Sequence, residues 1–197
     1  MLRRKMRGFT LIEMMIVVAI ILIASGMFFM TLQPAMRQAR LNNAYNTTLA
    51  TLRKAREKSV AERRVYIVTF TVPRTLTITQ AATGVVSNTY TLPLDVAFSN
   101  ESGIPNTTAG SPDHFGTGSL AIDFDQGVNL GVKTQIYFQP DGSAQDVNSN
   151  INNGVLYLAR PGDLMSSRAI TVWGATGRLR GWRLYLNGAG AKTWRQQ

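Results

Sequence analysis

Residues 7–30 read RGFTLIEMMIVVAIILIASGMFFM, and the fold turns on Glu13, a carboxylate at the head of an otherwise apolar run. From Met14 to Met36 no residue is charged. As a helix rising about 1.5 Å per residue the run spans roughly 35 Å, against a hydrocarbon core of about 30 Å, so it is long enough to cross a membrane. Before it, Met1–Gly8 carries Arg3, Arg4, Lys5 and Arg7. Such a basic flank holds the N-terminus on the cytoplasmic side and leaves the rest of the chain outside. An unpaired charge in a bilayer costs roughly 2.5–3.5 kcal/mol on insertion scales. Glu13 therefore asks for a cation.

Three readings compete. A conventional secretory signal would be cut near the small residues Ala24-Ser25-Gly26, but Met27-Phe28-Phe29-Met30 continue the apolar stretch beyond them. A plain membrane anchor explains length and flank but leaves Glu13 as an unexplained cost. The third rests on Arg7-Gly8-Phe9-Thr10-Leu11-Ile12-Glu13, with its short basic leader and the apolar helix after it. This pattern resembles the class III signal of type IV prepilins and pseudopilins. The resemblance implies that a prepilin peptidase cuts between Gly8 and Phe9 and N-methylates Phe9. It also implies that Glu13, at the fifth mature position, meets the terminal amine of a neighbouring subunit during assembly. A carboxylate in an apolar setting becomes tolerable once such a charge-assisted contact forms.

With no cysteine in 197 residues, neither a disulfide framework nor a thiolate metal site is available. The chain beyond the membrane segment is long enough for a single compact domain. The formal charge is +10, and loss of the four leader cations takes it to about +6. Arg37–Arg64 is basic, Val65–Met165 is acidic, and Ser166–Gln197 carries Arg168, Arg178, Arg180, Arg183, Lys192 and Arg195 with no acid.

Leu41, Tyr45, Leu49, Leu52 and Ala55 recur at spacings of three and four, one apolar stripe with the cations on other faces. This predicts that the membrane helix continues as an amphipathic helix to about Glu62, bent where Pro34 removes a backbone donor. From Val65 the period becomes alternating. Strands are expected at Val65–Val72, Thr75–Thr79, Tyr90–Leu92, Leu120–Phe124, Gln135–Gln139, Val155–Ala159, Ala169–Trp173 and Trp182–Leu186. Turn chemistry such as Pro140-Asp141-Gly142 separates them and favours antiparallel hairpins. Asn100–Gly118, small, polar and rich in Gly and Pro, reads as a long exposed loop.

A helix packed on an antiparallel sheet domain is an α+β architecture, the arrangement of the pilin fold. Within that fold the later portion resembles the GspH/FimT group of minor pseudopilins. The supporting blocks are Ile136–Gly142, Gly154–Leu158, Arg168–Val172 and Gly177–Arg180. The expected organisation is a cleaved leader at 1–8, a membrane and assembly segment at 9–36, an amphipathic half-helix at 37–64, and a β-rich extracytoplasmic domain at 65–197. The segment from about Thr79 to Gly131 carries no assignment.

Catalysis finds little footing. His114 is the only histidine and sits in the polar loop without a nucleophile-elbow pattern around it. Asp123 and Asp125 flank Phe124 in the manner of an acid pair, which alternation on a solvent face explains equally well. Asp141–Asn150 offers oxygen ligands but neither the acid spacing nor the closing glutamate of an EF-hand loop. No phosphate-cradling P-loop and no Rossmann glycine motif is present.

The C-terminal cations carry the remaining functional expectation. Arg178 and Arg180 share strand parity and so face one side. Arg183, Arg168, Lys192 and Arg195 lie near them in sequence and complete an expected cationic patch. In some FimT-like pilins a Gly-Arg-x-Arg motif contributes to DNA binding for uptake, and Gly177-Arg178-Leu179-Arg180 matches it. Trp173, Trp182 and Trp194 offer stacking surfaces for single strands, although aromatics alternating in strands are more often core. The resemblance thus implies an inner-membrane, single-pass minor pilin or pseudopilin. Its implied place is the tip or priming complex of a type IV pilus or type II secretion pseudopilus, with other pilins as partners and DNA as a further one. The alternative is a purely structural pseudopilin of a type II secretion system, with no nucleic-acid role.

Overall fold

The computed structural model describes residues 9–111, 113–118, 120–126 and 133–197. The chain divides into two compact units, Met1–Ala39 and Arg40–Gln197. Helix α1 spans Leu11–Glu62 and runs through Pro34 without interruption of its helical assignment. In the first unit its apolar side chains, Leu11, Ile16, Leu22 and Phe28 among them, are exposed all round the helix. By length and composition this stretch suffices to cross a membrane.

In the second unit α1 buries Leu41, Ala44, Tyr45, Thr48, Leu52, Ala55 and Ser59, the three-and-four spacing of one helical face. The expected stripe is present, with Leu49 only partly covered. Polar members of the face are satisfied locally: Thr48 Oγ1 donates to the Ala44 carbonyl at 2.8 Å, and Ser59 Oγ donates to the Arg56 and Gln139 carbonyls.

Ten strands come after the helix among the described residues: β1 Tyr66–Thr71, β2 Thr75–Gln80, β3 Val86–Thr91, β4 Ile122–Gln126, β5 Gln135–Phe138, β6 Ala144–Gln145, β7 Asn153–Arg160, β8 Asp163–Trp173, β9 Arg178–Leu186 and β10 Lys192–Gln196. They form two five-stranded sheets, ordered β3-β2-β1-β5-β6 and β10-β9-β8-β7-β4, and every pairing is antiparallel. The first sheet turns Val68, Phe70, Leu76, Ile78, Ile136 and Phe138 toward the helix stripe, while the intervening threonines stay nearer solvent. All eight expected strand regions are found, and β6 and β10 are additional to them.

The second sheet is covered on both faces. On one, Leu156, Leu158, Ile170 and Val172 join the core built on α1. On the other, Val155, Tyr157, Ala169, Trp182, Leu184 and Trp194 meet Ile104 and Phe115. This explains why β7 reads as an unbroken apolar run, the pattern of a strand buried on two sides. It also corrects the expectation of a long exposed loop over Asn100–Gly118. Its described residues form no regular strand or helix, but Ile104, Thr107, Asp113 and Phe115 are buried, and the Phe115 ring lies edge-on to Tyr157, Trp182 and Trp194 at 5.2–5.9 Å. A strap crosses that face of the sheet, anchored by aromatic packing that its polar composition conceals.

Candidate functional site

Two regions carry the sequence-based expectations. At the N-terminus Phe9 and Thr10 precede α1, and Gly8 with the rest of the leader lies outside the described residues. Thr10 caps the helix. Its carbonyl accepts from the Met14 N–H at 3.2 Å, and its Oγ1 accepts from the Glu13 N–H at 3.3 Å. Thr-x-x-Glu is the sequence of a capping box, so Thr10 and Glu13 have a local helix-starting role that the sequence reading missed. Glu13 is the acid of the first turn, where the helix dipole favours a negative charge. Its side chain is exposed and has no ion-pair partner among the described residues.

The six C-terminal cations do not form one patch. Pairing across β8, β9 and β10 sorts them by face. Arg178, Arg180, Trp182 and Leu184 alternate onto the strap-covered side of the second sheet, and Leu179, Gly181, Arg183 and Tyr185 onto the side of α1. On the strap side, Arg180 Nη1 donates to Asp113 Oδ2 at 2.5 Å and Arg178 Nη2 to the same oxygen at 3.2 Å. The other carboxylate oxygen accepts from Thr171 Oγ1 at 2.6 Å. Asp113 is nearly enclosed, its side chain 5% exposed, whereas the two arginines are 37% and 32% exposed. Arg178 also stacks on Trp173, its guanidinium carbon 4.3 Å from the ring centroid. Gly177 has its own structural reason. Its φ of +61° is a left-handed turn conformation, and a Cβ there would strike the Gly142 carbonyl and Arg56. The Gly177, Arg178 and Arg180 positions of the motif therefore each have an intramolecular partner or constraint.

On the α1 side, Arg168 of β8 pairs in register with Arg183 of β9, and Arg183 with Arg195 of β10. Three arginines thus occupy one register row across neighbouring strands. Arg168 does not belong to a surface patch, which corrects the sequence-based grouping: it is 1% exposed. Its Nη1 donates to the Ser166 and Ser167 carbonyls and its Nη2 to Asn42 Oδ1 of α1. Burial, and next the neighbouring Arg183, push it down to about 10. Arg183 and Arg195 remain nearer the surface, their guanidinium carbons 4.9 and 5.5 Å from the centroid of the Tyr185 ring. Lys192 pairs with Leu186, eight residues along β9 from Arg178 and so roughly 26 Å away.

The aromatic expectation divides similarly. Trp182 and Trp194 are core, their ring N–H groups donating to Thr171 Oγ1 at 3.0 Å and the Pro105 carbonyl at 2.8 Å. Neither offers a free stacking face. The candidate acid sites also resolve into local structure. Asp123 pairs with Lys133 at 3.4 Å, and the side chain of Asp125 lies outside the described residues. In the 141–150 stretch, Asp141 accepts from the Ser143 N–H and Asp146 from the Asn148 and Asn150 N–H groups. Hydrogen bonds hold both below the usual aspartate range; for Asp146 they outweigh the opposing effect of burial. His114 is exposed in the strap. Among the described residues no three His, Cys, Asp or Glu side chains gather as metal ligands.

With this geometry in hand, comparison with known proteins gives three findings. The family model described as the prokaryotic N-terminal methylation motif matches residues 3–29, which contain the basic leader, Gly8, Phe9 and Glu13. Among solved structures, the type IV minor pilin FimU of Pseudomonas aeruginosa strain PAO1 aligns at 14% identity with a TM-score of 0.45, over 71% of this chain and 85% of that one. No curated protein sequence matches.

Proposed function

We propose that this chain is a minor pilin or pseudopilin of a type IV pilus or type II secretion pseudopilus. The observation that carries the reading is the methylation motif at residues 3–29, whose later part is the start of a helix with apolar side chains exposed on every side in the first unit. A bare apolar helix of this kind needs a bilayer before assembly and the helices of other subunits after it. On this reading prepilin peptidase cuts between Gly8 and Phe9 and methylates Phe9. Residues 9–36 then lie in the inner membrane, and the β-rich domain at 65–197 lies outside it. Glu13 meets the amine of a neighbouring pilin in the fibre. The protein is an assembly component rather than an enzyme.

Intact-mass measurement of membrane-extracted protein tests the processing step: the expected species begins at N-methylated Phe9, and an uncut Met1 terminus or one near Met27 defeats it. The assembly step is tested by Glu13→Ala, which is expected to leave cleavage intact and to reduce fibre incorporation by tenfold or more. Normal incorporation of that variant removes the assigned role.

A second reading, nucleic-acid binding on the fibre, is favoured by one observation. Arg183 and Arg195 lie at the surface with no carboxylate partner among the described residues, in a C-terminal stretch that contains no acid. A cationic surface is the electrostatic requirement for phosphate contact. The purely structural pseudopilin is the reading that stands if no such binding is measured.

A further inference from the structure

The nucleic-acid reading leaves open which arginines touch phosphate, and the two faces of the second sheet answer differently. Arg178 and Arg180 share one enclosed acid, Asp113, which is itself fixed by Thr171. Part of their charge is already neutralised, and the strap that holds Asp113 is anchored by buried Phe115 and Ile104. For a phosphate to occupy the position of that carboxylate, a nearly enclosed anion must leave and be solvated elsewhere.

The α1 side has the opposite character. Arg183 and Arg195 are directly paired across β9 and β10, and like charges in that arrangement repel. Arg168, the buried neighbour of Arg183 on β8 and without an acid, adds a third positive charge to the row. An anion bound there relieves repulsion and displaces nothing. The same face of β9 continues through Gly181, packed against Tyr45 of α1, to Leu179. There a groove is lined by Arg53, Arg56 and Glu57 of α1 together with Thr176, Gly177, Arg178 and Leu179, and Arg56 already donates to the Gly142 and Thr176 carbonyls. From Tyr185 to Leu179 the strand covers roughly 20 Å. Buried Gly181, closed over by Tyr45, separates that groove, which Arg178 shares, from the Arg183–Arg195 pair.

Resting on the nucleic-acid reading, we propose that the phosphate-contacting surface is the α1-side arginine row, with Arg183 and Arg195 as its contacts, and not the Arg178–Arg180 pair. Phosphodiester is favoured over an acidic protein segment because the exposed part of the row offers guanidinium groups and one tyrosine edge. It lacks the apolar centre that protein interfaces bury.

The test uses the full chain in detergent micelles and fluorescence anisotropy with labelled single-stranded and duplex oligonucleotides across a salt series. The Arg183→Ala/Arg195→Ala variant is expected to lose tenfold or more in affinity at low salt and to shallow the log–log salt slope by about one to two units. Asp113→Asn, which removes the internal acid while keeping its shape, is expected to change affinity less than threefold. So is Arg178→Ala/Arg180→Ala, with circular dichroism confirming its fold. If Asp113→Asn tightens binding tenfold or more, or only the Arg178/Arg180 variant loses it, the assignment to the α1 side is overturned while the nucleic-acid reading survives. If the wild-type chain binds neither oligonucleotide, both fall. Retention of poly-glutamate alone in the same assay makes the row a protein contact and overturns the phosphate assignment.

Discussion

The two faces of the second sheet are made from the same strands yet treat charge in opposite ways. On the strap side, two arginines converge on one enclosed aspartate whose second oxygen is also satisfied. On the α1 side, three arginines are stacked in register with no acid between them. Alternation along β9 explains how neighbouring residues part company: Arg180 and Arg183 are three apart and so point to opposite faces. The difference teaches that a count of cations in a sequence window says little about an electrostatic surface. What decides is which face each residue takes and whether a distant segment brings an acid to it.

The sharpest way to break the comparison is to remove the strap's anchor. Phe115 is buried among Tyr157, Trp182 and Trp194, and Phe115→Ala is expected to destabilise the Arg40–Gln197 unit by about 3–5 kcal/mol, the usual loss for a buried aromatic. Denaturant unfolding of the full chain in micelles measures it. A loss below about 1 kcal/mol means that the strap is not part of the core and that Asp113 does not hold the arginines persistently.

A smaller effect separates shape from charge on the other face. Arg168→Ala leaves a void at the buried end of the row, against α1, and is expected to cost about 2–5 kcal/mol. Arg168→Met fills most of the same volume without a buried cation and is expected to stay within about 1 kcal/mol of the parent, as for buried charges replaced by packed apolar groups. Equal losses for the two variants show that the hydrogen bonds to Ser166, Ser167 and Asn42, rather than volume, hold that layer together.

Much of the fold is legible in the sequence because it rests on local periodicity. The helix stripe from Leu41 to Ala55 and the alternating runs of β1, β2 and β5 are patterns that a single element imposes on its own residues. The missed features depend on partners far along the chain. Strand β6 is two residues long, and β10 is recognisable only by its pairing with β9. Ile104 and Phe115 are isolated apolar residues in a polar stretch, and nothing local marks them as core. Asp113 looks like any loop acid until β8 and β9 bring Thr171, Arg178 and Arg180 to it. Arg168 shows the limit from the other side: charge alone groups it with its neighbours, although its place beside Ala169, Ile170 and Val172 of β8 hints at burial. The capping role of Thr10 is legible, since Thr-x-x-Glu stands in the sequence, but the cost of Glu13 in a membrane is the more conspicuous feature of the same residues.

The smallest effect gives the finest discrimination between the faces. Arg183 and Arg195 oppose one another directly across β9 and β10, so reversing one charge turns a repulsive cross-strand pair into an attractive one. Arg195→Glu is therefore expected to raise stability by about 0.2–1 kcal/mol at low salt. Both side chains are near the surface, so the gain is expected to vanish toward 1 M salt, where the screening length falls to about 3 Å. The matching reversal on the strap side has the opposite sign. Arg180→Glu sets a second carboxylate beside enclosed Asp113, and it is expected to destabilise by more than Arg195→Glu stabilises, with less relief from salt because that acid is buried. The measurement is the unfolding midpoint of both variants and the parent at low and high salt. A loss of stability in Arg195→Glu at low salt shows that an acid already balances the row, and the contrast between the two faces then fails.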